Sequence, residues 1–158
     1  MVDKLDKKVN LSVAKTVTGS GGNKNKVFNF NLQLTGSDSY PEELSYIITE
    51  KGQEDVKGTM LLNGGVGNFT LSHGQTITFT EVPSGLQYEV HEMDGESQGY
   101  TVMYTNEKGT LENDVAVTVE NNKQISVPTL ADTNNKVILL LAGIAIVAGL
   151  LITRRRKE

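Results

Sequence analysis

The stretch LSVAKTV, Leu11 to Val17, alternates as a β-strand does but carries one discordant residue. Leu11, Val13 and Val17 fall on one face, and Ser12, Ala14 and Thr16 on the other. Lys15 falls with the valines. Side chains alternate with period two, so the lysine cannot turn outward without exposing its apolar neighbours. A lone ammonium in such a place costs several kcal/mol unless it is paired or neutralised.

The same periodicity extends along the chain. VFNFNLQL (27–34) alternates Phe28, Phe30, Leu32 and Leu34 with amides, and ELSYIIT (43–49), VKGTMLL (56–62) and VGNFTLS (66–72) come next. QTITFTEV (75–82) and LQYEVHEM (86–93) flank the turn Pro83-Ser84-Gly85, and GYTVMYT (99–105) and VAVTVEN (115–121) complete the set. Eight or nine short strands between Gly- and Asn-rich turns, with no sustained helical period, predict an all-β sandwich.

Two further strands repeat the fault. Tyr88 and Val90 share a face that continues into Glu92, and Val115, Val117 and Val119 share one that continues into Asn121. Each residue has an ordinary reading by itself: a snorkelling lysine, a strand-end glutamate, an Asn121-Asn122 turn. Three such lapses on aligned apolar faces are better explained by three groups that meet. An amine, a carboxamide and a carboxylic acid buried together can form an amide. A neutral Lys15 attacks the Asn121 side-chain carbonyl, a protonated Glu92 polarises that carbonyl and shuttles protons, and ammonia leaves. Folding supplies the proximity, worth up to about 7–11 kcal/mol for well-oriented groups. The reaction turns over once and needs no cofactor, so the chain is not an enzyme in the usual sense. Asn122 leaves open which of the two asparagines is bonded.

The chain resembles the CnaB-type (Cna B-region) domains of Gram-positive surface proteins and pilins, including streptococcal pilin-like domains. The resemblance spans roughly residues 9 to 125 and is carried by LSVAKTVTG, VFNFNLQL, FTLSHGQTITFTEVPSGLQYEVHE and VTVENNK. It implies a Greek-key, immunoglobulin-like sandwich with Lys15 and Asn121 as the bonded pair and Glu92 as catalytic acid.

The C-terminal residues read differently. Val137 to Ile152 is an unbroken apolar run closed by Arg154, Arg155, Arg156 and Lys157, which predicts a membrane helix with its basic end cytoplasmic. It resembles the sortase cell-wall sorting signal. Where that signal carries LPxTG, this chain has Val127-Pro128-Thr129-Leu130-Ala131, without the glycine. The expected organisation is a leader or linker over 1–10, a sandwich over 11–125, a linker with a degenerate sorting motif over 126–136, a membrane helix over 137–153 and a basic tail over 154–158. The expected partners are the membrane, a sortase and other pilus or surface subunits. Ser39-Tyr40-Pro41-Glu42 places glutamate where pilus backbone subunits resembling this one carry a polymerising lysine, which favours a basal pilin or stalk module. The N-terminal residues contain no secretory signal, which suggests a piece of a longer exported protein.

Composition narrows the alternatives. A net charge of −4 and a pI near 5.2, with no basic stripe in the body of the chain, argue against nucleic acid. Zero cysteines exclude disulfides and thiol chemistry. His73 and His91 have no third ligand at metal spacing, the glycine clusters lack a following GK[ST], and Asp38, Glu42 and Glu43 read as a solvated turn. A structural, surface-anchored module is expected first. The alternative is an adhesin domain contacting host or carbohydrate through its loops.

Overall fold

The computed structural model describes residues 7–127, which contain ten strands and one short 3-10 helix. In chain order the strands are β1 (Lys8–Thr18), β2 (Phe28–Thr35), β3 (Glu43–Glu50), β4 (Val56–Leu61), β5 (Val66–Leu71), β6 (Gln75–Pro83), β7 (Gln87–Glu92), β8 (Thr101–Thr105), β9 (Lys108–Thr110) and β10 (Val115–Asn122). They form a six-stranded sheet, β4-β3-β6-β1-β10-β8, and a four-stranded sheet, β5-β2-β7-β9. Non-sequential neighbours in both sheets make this the all-β sandwich anticipated from the alternation.

The core is what the alternating faces enclose. Leu11, Val13 and Val17 from β1, Phe28, Phe30, Leu32 and Leu34 from β2, Ile77 and Phe79 from β6, and Val117 and Val119 from β10 are buried in one cluster. Aromatic edges tie the layers: Phe69 on β5 meets Phe79 on β6 at 5.3 Å between centroids, nearly perpendicular.

The structure amends the strand reading at two places. β1 begins at Lys8 rather than Leu11, and Val9 is part of the core; an irregularity between Val9 and Leu11 in the pairing with β6 accommodates it. β9, unanticipated, pairs with β7 over three exposed residues.

The pairing of β1 with β10 positions the polar residues of the core. These two strands, far apart in sequence, run parallel side by side, with Lys15 opposite Val119 and Val17 opposite Asn121. Lys15 and Asn121 therefore stand near each other on the inner face of one sheet, while β7 brings Glu92 from the other.

Candidate functional site

All three polar groups lie in the core. Lys15 is 1% exposed, Glu92 4% and Asn121 0%, so none snorkels to solvent. Lys15 Nζ lies 2.8 Å from Glu92 Oε2, an ion-pair distance at which neither atom makes an aligned hydrogen bond. Asn121 Nδ2 donates to Glu92 Oε1 at 2.6 Å. The carboxyl group thus bridges amine and amide. Asn121 Oδ1 is buried without a hydrogen-bond partner, an unmet acceptor of the kind that marks functional sites.

The surroundings are apolar and aromatic. Lys15 Nζ sits 4.3 Å from the centroid of Phe28 and 5.9 Å from that of Phe30. Burial lowers the Lys15 pKa from 10.5, against the opposing pull of Glu92 at 2.8 Å and, more weakly, Asp94 and Glu120. Desolvation wins, which favours the neutral amine. At the end of β7 the Glu92 backbone N–H donates to Tyr104 Oη at 3.0 Å, fixing the residue from β8.

Of the asparagine pair, only Asn121 faces inward. Asn122 lies on the outer face, where its Nδ2 donates to Thr18 Oγ1 at 2.8 Å and Thr18 in turn donates to Glu120 at 2.7 Å. Glu120 is accordingly half-buried and hydrogen-bonded.

The other singled-out residues stay apart from this cluster. His73 Nδ1 accepts the Val17 N–H at 2.9 Å, a local brace for β1, and His91 is exposed. Among the described residues no group of three or more His, Asp or Glu is arranged to hold a metal, and no helix is long and apolar enough to cross a membrane. A depression of about 250 Å³ beside β7 and β9, lined by Gln33, Gln87, Glu89 and Lys108 among others, holds none of the three groups. Val127 is exposed; Pro128, Thr129, Leu130, Ala131, the run Val137 to Ile152 and Arg154, Arg155 and Arg156 lie outside the described residues.

Three participants went unnoticed in the sequence. Phe28 was legible as core but not as the surface beneath Lys15. Tyr104 carries no local signal, because its contact with Glu92 crosses between the sheets. Gly95 looked like the second residue of an Asp-Gly turn, yet it is buried against Glu92 and Asn121.

Relatives share this frame. The chain is 31% identical over 168 aligned positions to a pilin of Streptococcus pyogenes serotype M1, covering 94% of this chain and 48% of the pilin. It is 30% identical over 125 positions to the pilus tip adhesin Cpa of Streptococcus pyogenes, covering 75% of this chain and 17% of Cpa. The chain thus spans about half of the one relative and less of the other. Among solved structures, an asparagine-to-alanine variant of the Streptococcus pyogenes major pilin superposes with a TM-score of 0.65 at 31% identity, over 75% of this chain and 49% of that one. Homologues are therefore streptococcal pilins and a pilus adhesin, consistent with a CnaB-like pilin domain. Residues 9–123 match the family described as a domain of unknown function, DUF7601, and the chain belongs to that family.

Proposed function

We propose that this chain is a structural module of a pilus or related surface assembly, made rigid by a covalent Lys15–Asn121 isopeptide bond that forms with Glu92 as acid. The observation that carries this reading is the bridged contact of three buried polar groups in an otherwise apolar core.

The chemistry balances within the cluster. One proton passes from the Lys15 ammonium to the Glu92 carboxylate along the 2.8 Å contact, leaving a neutral amine and a neutral acid. A half-turn of the Asn121 amide about Cβ–Cγ turns Oδ1 toward the acid. The 2.6 Å separation is short for N–H···O and ordinary for O–H···O, and the turn gives the unmet oxygen a donor. Nζ attacks Cγ, the acid stabilises the developing oxyanion, and Glu92 relays a proton from the attacking nitrogen to Nδ2. The Cγ–Nδ2 bond breaks, ammonia departs, and Glu92 is left protonated beside the new amide.

The parallel β1–β10 pair gives the bond a mechanical role. Tension entering along β1 crosses to β10 at residues 15 and 121 and leaves residues 16–120 outside the covalent load path. Anchorage through the apolar C-terminal run, as a cell-proximal pilin or stalk module on a Gram-positive surface, completes the reading. The likeness to the tip adhesin Cpa supports a second role in adhesion, which binding of the purified chain to host or glycan surfaces would reveal.

A tryptic map of the full chain tests the bond. Lys15 resists trypsin once acylated, so the expected product is residues 9–24 joined through Lys15 to residues 109–123, lighter by one ammonia than the two peptides combined. Cleavage after Lys15 with residues 109–123 recovered unmodified overturns the proposal.

A further inference from the structure

Gly95 is buried and belongs to the turn that covers the cluster between β7 and β8. Its backbone lies at φ −67°, ψ −51°, a conformation open to every residue, so the glycine is not there for a left-handed turn. It is there for space. A Cβ at this position would penetrate Glu92 Oε1 and stand 2.7 Å from Asn121 Nδ2 and 2.9 Å from Val102 Cγ2. The missing methyl is the volume that the Glu92 carboxyl and the Asn121 amide occupy.

The turn has little freedom to retreat. Asn29 Nδ2 on β2 donates to Asp94 Oδ2 at 2.9 Å, and Met93 N donates to Asn29 O at 2.9 Å. Beyond Gly95, its carbonyl accepts from Gln98 N at 3.0 Å and Tyr100 N at 3.1 Å, and the Tyr100 ring packs edge-on against Phe28 at 5.4 Å. Lys123 Nζ closes the far side on Gln98 O at 2.9 Å. With the turn held on both flanks, a methyl group displaces the carboxyl–amide pair rather than the backbone.

The geometry points to Gly95 as a positioning residue for isopeptide formation: its bare Cα allows the Glu92 carboxyl and the Asn121 amide to meet, and any side chain there separates them. This role rests on the Lys15–Asn121 cross-link being formed.

The test uses full-length parent, Gly95→Ala and Gly52→Ala. Gly52, in the turn between β3 and β4, has φ +83° and no atom within 4 Å of its Cβ position, so Gly52→Ala strains the backbone without touching the cluster. Denaturing intact mass of chains freshly made by cell-free translation, sampled over time, tracks the loss of ammonia, because a parent purified folded has already reacted. Gly95→Ala is expected to form the bond at least about 100-fold more slowly than the parent, as reactions do when groups are misplaced by about 1 Å. Gly52→Ala is expected to lose stability yet form the bond at the parental rate. Parental kinetics in Gly95→Ala overturn the inference. A folded parent that never loses ammonia overturns the cross-link itself, and the role of Gly95 with it.

A second measurement does not need Gly95→Ala to fold well in the parent. In a Lys15→Ala background, which cannot react, the change in melting temperature on Gly95→Ala is compared with Asn121 present and with Asn121→Ala. A larger loss with Asn121 present is expected, because truncating the amide gives the carboxyl room to move. Equal losses overturn the role assigned to Gly95.

Discussion

Replacing Glu92 by glutamine preserves the shape of the cluster and removes its acid. The carboxamide cannot take the Lys15 proton or give one to the Asn121 carbonyl, so no bond should form. The stability lost is that of a cross-link between residues 15 and 121. Closing a loop of about 100 residues restricts the unfolded chain by about 4.7 kcal/mol. At an unfolding entropy of about 2.1 cal/mol/K per residue over the matched span 9–123, that corresponds to a fall in Tm of about 20 °C. The buried lysine, left without its carboxylate, adds to the loss. Differential scanning calorimetry of the full chain and Glu92→Gln, with denaturing mass to read the bond, measures both quantities. A Glu92→Gln protein that loses ammonia, or one melting within a quarter of the expected shift from the parent, refutes the reasoning.

Asn122→Ala should leave the ammonia loss intact by intact mass, because Asn122 bonds Thr18 on the outer face. In Asn121→Ala the bond cannot form and Lys15 stays a buried amine with a lowered pKa. Between that value and 10.5 the unfolded chain binds the extra proton, so stability should rise with pH through this window. Urea midpoints across the window, compared with a Lys15→Ala/Asn121→Ala double variant, isolate the contribution; a flat or falling difference contradicts it. Phe28→Ala removes the ring beneath Lys15 and should cost about 3–5 kcal/mol in urea unfolding.

Much of the fold was legible because the inner faces are regular. Alternation in β2, β7 and β10 identified core positions directly, and the same regularity made Lys15, Glu92 and Asn121 stand out as faults. The start of β1 was hidden because Val9 is flanked by Lys7, Lys8 and Asn10 and sits at a pairing irregularity, so one valine among charges showed no period. β9 left no trace because its three residues are all exposed and bury nothing. Gly95 was hidden for a different reason. An Asp-Gly pair signals a turn that needs positive φ, whereas here glycine answers a steric demand from residues on two other strands, which only the folded arrangement reveals. The parallel neighbouring of β1 and β10 is likewise a property of topology, and without it the three faults have no common address.

The most direct test is the denatured intact mass of the full chain, purified in detergent, beside Lys15→Ala. The parent should weigh one ammonia less than its sequence requires, and Lys15→Ala should match its sequence mass. A folded parent at its full sequence mass would mean that the amine, acid and amide meet without reacting, and would contradict the covalent cross-link.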